Sequence, residues 1–262
     1  MAELEEPYLA PGRVLALAHR GGAFHPEIEG LENTLAAFKH AAGLGYTYLE
    51  TDVHATSDGV LLAFHDDVLD RVTDGTGAVG ELTLADVRRA RIGGREQVPT
   101  LVELLDAFPR ARFNIDIKSE AAVEPLAALV RERGLWDRVL VGSFSHRRTR
   151  RFRALTEQRV PTAATPWQVV AFRCAPTARI AALLAGPDVD AFQVPHRRGR
   201  FTVVTPGFVR RAHAAGLPVH VWTIDDPDEM RLLLDRGVDG IFTDRTDLLK
   251  DVLQSCGRWW SP

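Results

Sequence analysis

Short apolar runs alternate with amphipathic stretches along most of the chain. The runs are RVLALAH (13–19), TYLETDV (47–53), RFNIDIK (112–118), RVLVGSF (138–144), VPTAA (160–164), DAFQVP (190–195), PVHVWT (218–223) and DGIFTD (239–244). Between them, NTLAAFKHAAGLG, EAAVEPLAALVRERG, TPGFVRRAHAAG and DPDEMRLLLDRG carry helical spacing. Gly134, Gly216 and Gly237 stand where helix ends favour glycine. Strand–helix alternation predicts parallel pairing, because each parallel crossover needs about a dozen residues or more. One run breaks the pattern: VLLAFH (60–65) follows the second strand after only Ser57, Asp58 and Gly59. No helix fits in that gap, and Asp-Gly is a strong hairpin turn. With that run set aside as an antiparallel hairpin strand, eight parallel strands remain, the number that closes an α/β (β/α)8 TIM barrel. An open doubly wound sheet is the alternative, but no GxGxxG or Walker lysine motif supports it. Residues 1–262 read as one domain with its core over about 14–253.

Charged residues interrupt these runs where a barrel would place its site, at the C-terminal ends of strands. His19 and Arg20 end the first run. Glu50 and Asp52, two apart on the second, share one face, and Asp116 and Lys118 repeat the spacing on the third. Taken singly, each fits a structural salt bridge. Three carboxylates together form an all-oxygen set suited to one hard divalent cation, Mg2+ or Ca2+. If Asp58-Gly59 is a two-residue turn, Ser57 pairs with Val60 and Asp52 falls opposite His65, with Cβ atoms about 4.5–5.5 Å apart. A three-residue loop would shift that pairing by one. His54 shares the face of Glu50 and Asp52 and reads as a hydrogen-bonding rim histidine, with outer metal ligation the alternative.

Composition narrows the class without naming a chemistry. The 262 residues are 45% hydrophobic and 26% charged, as in soluble globular proteins, and the net charge of −3 gives no global attraction for nucleic acid or anionic membrane. Two cysteines, Cys174 and Cys256, make neither a disulfide scaffold nor a zinc module and read as reduced thiols. The acidic start MAELEEPYLAPGR lacks a signal-peptide pattern, and no run of about 18 apolar residues spans a bilayer. A cytoplasmic protein without stable membrane insertion is the expectation. The basic stretches 146–153 and 196–200 read first as solvated faces, then as attraction for anionic substrate or lipid headgroups, and last as nucleic-acid contacts. Arg258-Trp259-Trp260 reads as a tail packed on the barrel or a homodimer contact, with a membrane interface as the further alternative.

The ordered series His19-Arg20-Gly21, Glu32-Asn33-Thr34, Glu50-Thr51-Asp52, Asp58-Gly59, His65-Asp66, Pro99-Thr100-Leu101 and Asn114-Ile115-Asp116-Ile117-Lys118 resembles the glycerophosphodiester phosphodiesterase pattern. Ser143-Phe144, Trp222-Thr223 and the stretch from Gly237 to Asp244 continue it, covering about residues 14–253. The resemblance implies a barrel enzyme that hydrolyses glycerophosphodiesters to glycerol 3-phosphate and an alcohol with a divalent cation. On that pattern Glu50, Asp52 and Asp116 would be metal ligands, and His19 and His65 the general acid/base pair. Arg20 and Lys118 would hold phosphate, and Trp222 would line the glycerol side. The implied route uses the neighbouring glycerol hydroxyl as nucleophile and passes through a cyclic phosphate that water opens. Asp116 departs from the glutamate more usual there, which bears on the metal more than on the reaction class. Two alternatives stay open: a lysophospholipase D-like hydrolase of lysophospholipid or sphingolipid headgroups, and a barrel that binds a phosphorylated ligand without turnover. Keeping both His19 and His65 speaks against the second.

Overall fold

Side chains in a barrel strand alternate between the interior and the helix-covered outside, which is why the apolar runs become strands. The computed structural model describes residues 7–9, 12–175, 177, 180, 181, 183, 186 and 188–260. Most of the acidic start lies outside the described residues. Strands are β1 (Leu15–His19), β2 (Tyr48–Ala55), β3 (Leu61–Ala63), β4 (Arg91–Ile92), β5 (Glu96–Gln97), β6 (Arg112–Ile117), β7 (Val139–Gly142), β8 (Phe192–Pro195), β9 (Arg197–Arg198), β10 (Phe201–Thr202), β11 (Val219–Trp222) and β12 (Gly240–Thr243). Helices are α1 (Leu35–Gly43), α2 (Leu84–Val87), α3 (Leu101–Ala107), α4 (Val123–Arg133), α5 (His146–Leu155), α6 (Pro166–Cys174), α7 (Pro206–Ala214), α8 (Pro227–Asp235) and α9 (Thr246–Ser255).

Seven parallel strands run in the order β7-β6-β2-β1-β12-β11-β8. The run 160–164 supplies the eighth position, but only through single parallel bridges: Thr162 with Val141 of β7, and Ala163 with Ala191 beside β8. Those bridges join the two ends of the sheet, so the barrel closes. Pro161 offers no N–H to a ladder, which accounts for the short pairing there. The hairpin strand β3 pairs antiparallel with β2, but in a different register from the one expected. Ala55 faces Leu61 and Val53 faces Ala63, with Thr56 N–H donating to Val60 O across a three-residue loop. Gly59, at φ 81°, takes the left-handed position that such loops need. Asp52 therefore lies level with Phe64, whose N–H it accepts at 3.0 Å, and His65 falls one residue beyond.

Leu15, Leu17, Tyr48, Leu140, Ala163, Ala191 and Phe242 fill the barrel. Tyr8 closes its lower end, edge-on to Tyr48 at 5.2 Å and accepting the Tyr48 hydroxyl on its carbonyl. Outside, Phe172, Phe192 and Phe208 lock α6 and α7 onto β8 with centroids 4.5–5.6 Å apart. Helix starts are set by caps: Thr34, Thr100, Thr205 and Asp226 each accept backbone N–H groups. Gly134, Gly216 and Gly237 have positive φ where their helices end. The tail packs back on the barrel, with Trp259 5.2 Å from Tyr46 and Arg13 stacked over Trp260 at 4.2 Å. Among the described residues, no helix is long and apolar enough to cross a membrane.

Inside the barrel, His220 is 1% exposed, and burial depresses its pKa to about 4. An imidazole held neutral in the fold stabilises it fully above about pH 6.5, and the contribution is lost as the pH falls towards 4, because the unfolded chain binds the proton first. We expect up to about 3 kcal/mol of stability to disappear across that window through this group. Urea unfolding at several pH values should show a shallower loss for His220→Asn; identical slopes in both proteins would refute the assignment.

Candidate active site

Strand register decides which inward side chains meet at the rim. His19 is level with Glu50 across β1 and β2, and Asp52 is level with Asp116 across β2 and β6. Neighbouring strands lie about 4.8 Å apart, so these residues and Lys118 occupy one arc at the strands' C-terminal ends. Asp52, 1% exposed, is its centre. Arg20 Nε approaches it at 3.0 Å, Lys118 Nζ at 2.9 Å, and Asn33 Nδ2 donates to it at 3.1 Å. Burial pushes the Asp52 pKa up, but Lys118 and Arg20 outweigh it and hold the value at about 2. Glu50 has weaker support: it accepts the Arg20 backbone N–H at 3.1 Å and faces His19 Nε2 at 3.8 Å. Burial and the neighbouring Asp52 charge push it up to about 7.

The two histidines are each held by a carboxylate. His19 Nδ1 meets Asp244 Oδ1 at 2.9 Å. Burial would lower its pKa, but Glu50 and Asp244 outweigh that and raise it to about 9. His65 Nδ1 meets Asp66 Oδ1 at 2.6 Å, and its Nε2 has no partner among the described residues. The register shift removes His65 from its expected place opposite Asp52. It still lies close enough for its charge to lower the pKa values of Asp52 and Glu32. His54 Nε2 meets the His65 carbonyl at 3.0 Å, so it acts as a hydrogen-bonding histidine that fixes the chain after the hairpin.

Loop chemistry places the cations. After β1, Arg20 has φ 49°, and Gly21 and Gly22 follow with φ 86° and 89°. A Cβ on Gly21 would stand 2.7 Å from Ala37 Cβ, and one on Gly22 2.7 Å from Thr246 Cγ2, so the loop lies too close to α1 and α9 for any side chain. Arg20 Nη1 donates to Glu32 at 3.1 Å. Arg71 then bridges Glu32 and Asp66 through four bonds of 2.5–3.1 Å. A continuous chain of ion pairs therefore links Arg20 to His65. Just beyond β6, the ammonium of Lys118 also meets Asp116 Oδ2 at 2.7 Å and lies 5.7 Å from the Phe144 ring, which stands edge-on to Trp222 at 5.9 Å.

Among the described residues, no three His, Cys, Asp or Glu side chains already converge as a metal cage; Lys118 bridges Asp52 and Asp116 instead. The donor set nevertheless suits a hard cation. Asp116 Oδ1 is buried without a hydrogen-bond partner, next to Asp52 in the register, and an unmatched buried carboxylate oxygen is a costly group that an ion would satisfy. Three contributors carried no assigned role in the sequence reading: Asn33, Asp244 and the Arg71–Asp66 pair. Asp244 was readable as the next inward position after Gly240 and Phe242. Asn33 and Arg71 lie in irregular segments with no periodicity to expose them.

The family model described as the glycerophosphoryl diester phosphodiesterase family matches residues 19–248. A Mycobacterium tuberculosis protein named as a probable glycerophosphodiester phosphodiesterase is 44% identical over 255 residues, covering 96% of this chain and 95% of its own. The crystal structure of a glycerophosphodiester phosphodiesterase from Agrobacterium tumefaciens superposes with TM-score 0.74 at 28% identity, covering 90% of this chain and 99% of that one. An Oleispira antarctica phosphodiesterase, solved with the product sn-glycerol-3-phosphate, has the same fold, with TM-score 0.73 at 24% identity over 92% and 96% of the two chains.

Asn33 has φ 59°, donates to Asp52 and accepts the Thr51 hydroxyl at 2.8 Å. Asn33→Gly keeps the backbone and should cost about 1–3 kcal/mol for the lost buried bonds. Asn33→Ala should cost about 1–2 kcal/mol more, because alanine resists the left-handed conformation. Chemical denaturation of both variants separates the two terms, and equal losses would show that the backbone conformation contributes nothing.

Proposed function

The chain belongs to the glycerophosphoryl diester phosphodiesterase family, and from that membership we propose that it hydrolyses glycerophosphodiesters to glycerol 3-phosphate and an alcohol at the rim of β1, β2 and β6. The observation that carries the assignment to these residues is the strand register, which sets His19 beside Glu50 and Asp52 beside Asp116. Glu50, Asp52 and Asp116 would hold one divalent cation, Mg2+ or Ca2+, which when bound adds positive charge at the phosphoryl oxygens. Arg20 and Lys118 bind the non-bridging oxygens of the diester. The flexible stem of Lys118 lets its ammonium exchange a carboxylate for a phosphate oxygen, whereas Arg20 is fixed by Glu32 and Asp52. Trp222 forms the wall that receives the glycerol moiety.

His19 and His65 divide the proton transfers. One accepts the proton of the neighbouring glycerol hydroxyl as that oxygen attacks phosphorus, and the other protonates the departing alkoxide. The resulting cyclic phosphate is opened by water with the roles exchanged, giving glycerol 3-phosphate. Asp244 and Asp66 bind Nδ1 of the two rings, which leaves Nε2 of each ring for the reacting oxygens. A specific contact favours a second reading for the leaving group. The Phe144 ring, 60% exposed and edge-on to Trp222, would suit the longer alcohol of a lysophospholipid.

Purified protein with Mg2+ or Ca2+ should release glycerol 3-phosphate from glycerophosphocholine and stop when a chelator is added. His19→Ala and His65→Ala should each lower kcat by about 10²–10⁴-fold. Full turnover in both variants would refute the acid/base assignment, and full turnover in chelator would refute the cation. A higher kcat/KM for lysophosphatidylcholine than for glycerophosphocholine would move the assignment to the second reading.

A further inference from the structure

The rim divides into two chemically different arcs. Most of the charged groups of the site sit at the ends of the first three barrel strands, β1, β2 and β6, with Asp244 after β12 and Trp222 of β11 completing it. The segments that follow the next three barrel positions each present an exposed aromatic ring. Phe144 follows β7 and is 60% exposed, Trp167 follows the run 160–164 and is 50% exposed, and Phe201 follows β8 and is 80% exposed. Apart from Phe24 on the β1 loop and Trp260 in the tail, these are all the exposed aromatics among the described residues. His146 at the start of α5 meets Trp167 edge-on at 5.2 Å, so the first two loops form one continuous surface.

The third loop adds charge. Arg197 and Arg198 of β9 and Arg200 at the turn are exposed, and none has a carboxylate partner among the described residues. Phe201 lies opposite Arg198 in the β9–β10 pair. The hairpin is mounted rigidly. His196, 3% exposed, is held between Glu229 and Arg236, and Arg236 also donates to Val204 O at 2.6 Å. The His196 carbonyl accepts from Val203 and Val204, closing the hairpin base. A chain of net charge −3 thus places three unpaired arginines and an exposed phenylalanine on one short hairpin.

We propose that this arc, centred on Arg197, Arg198, Arg200 and Phe201 with Trp167 and Phe144 beside it, docks peripherally on an anionic lipid bilayer and presents the barrel mouth to its surface. Arginines gain from the negative surface potential, and aromatic rings settle at headgroup depth. The β1 loop bears Glu27 and Glu29 beside Phe24, which tilts contact towards the hairpin side. Nucleic acid or an acidic protein would use the arginines but gain little from three separate exposed rings.

The full chain is floated with vesicles of phosphatidylcholine alone and of phosphatidylcholine mixed with phosphatidylglycerol. It should bind the mixed vesicles, not the neutral ones, and lose binding as salt rises. Each arginine replaced by glutamine should lower partitioning about fivefold, and the Arg197→Gln, Arg198→Gln, Arg200→Gln triple variant about a hundredfold. Phe201→Ser should lower it about tenfold or more. Turnover of glycerophosphocholine without vesicles should be unchanged in every variant. Equal binding to both vesicle types, binding to neither, or binding insensitive to these substitutions overturns the proposal. So does retention on DNA or an acidic protein by a chain that ignores vesicles.

Discussion

Asp52 carries a negative charge into a place 1% exposed to water, where desolvation by itself would drive it neutral. The surrounding structure is arranged around keeping that charge. Arg20 comes from the end of β1, Lys118 from beyond β6, and Asn33 from a loop residue held left-handed. None of the three is an ordinary surface pairing, since each partner is itself largely withdrawn from solvent. Removing one partner would leave a buried charge uncompensated, and that penalty exceeds what the pair contributes when intact. In the function proposed above, the same cations would face the diester phosphate, so the groups that make the fold tolerable at Asp52 would also bind substrate. On that proposal, stability and substrate binding would be coupled by a shared requirement for positive charge.

That requirement propagates outward to the histidines. Arg20 engages Glu32, Glu32 engages Arg71, and Arg71 fixes Asp66, which holds His65. On the other side, Asp244 holds His19. Asp244 is positioned in turn because its backbone N–H and the Thr243 hydroxyl both donate to Asp225. His65 lies beyond its strand and gains little from ladder hydrogen bonds, so ion pairs do the orienting that a sheet does for Glu50 and Asp52. In the proposed mechanism, this ion-pair chain would orient an acid/base group that no strand holds.

How much of this was legible follows from which forces act locally. Eight parallel positions were readable because period-2 burial and crossover length are properties of short segments. The run 160–164 was readable as a strand, but its reduction to two bridges depends on Pro161 and on neighbours far away in sequence. Asp-Gly correctly signalled a hairpin, yet the choice between a two- and a three-residue loop is a matter of about one turn's energy. That one-residue difference moved His65 out of direct opposition to Asp52. Arg153, in a basic segment read as a solvated face, is 6% exposed and bonded to Thr162 and Asp190. Its charge matched its neighbours, while its burial was set by helix phase against the barrel. The ion-pair chain through Arg71 had no local signature, because its partners are separated by up to 39 residues.

The contrast between paired and unpaired cations carries the functional division of the rim one step further. Arg20, Lys118 and Arg153 are matched by carboxylates, as burial demands, and the exposed Arg71 is matched as well. Arg147 and Arg151 on α5 are exposed yet also paired, with Glu120 and Glu124. Other exposed arginines, such as Arg95, Arg110, Arg150 and Arg210, have no carboxylate partner among the described residues, so an unmatched charge is not by itself distinctive. The hairpin arginines are distinguished by grouping: Arg197, Arg198 and Arg200, without carboxylate partners among the described residues, lie on one short hairpin with the exposed Phe201. A hairpin held by the buried His196 and Arg236 contacts keeps that charge in a constant position relative to the mouth. On these proposals, positive charge fixed beside exposed rings at the entrance would act on an anionic surface that approaches the site, while the paired cations within would act only on what enters it.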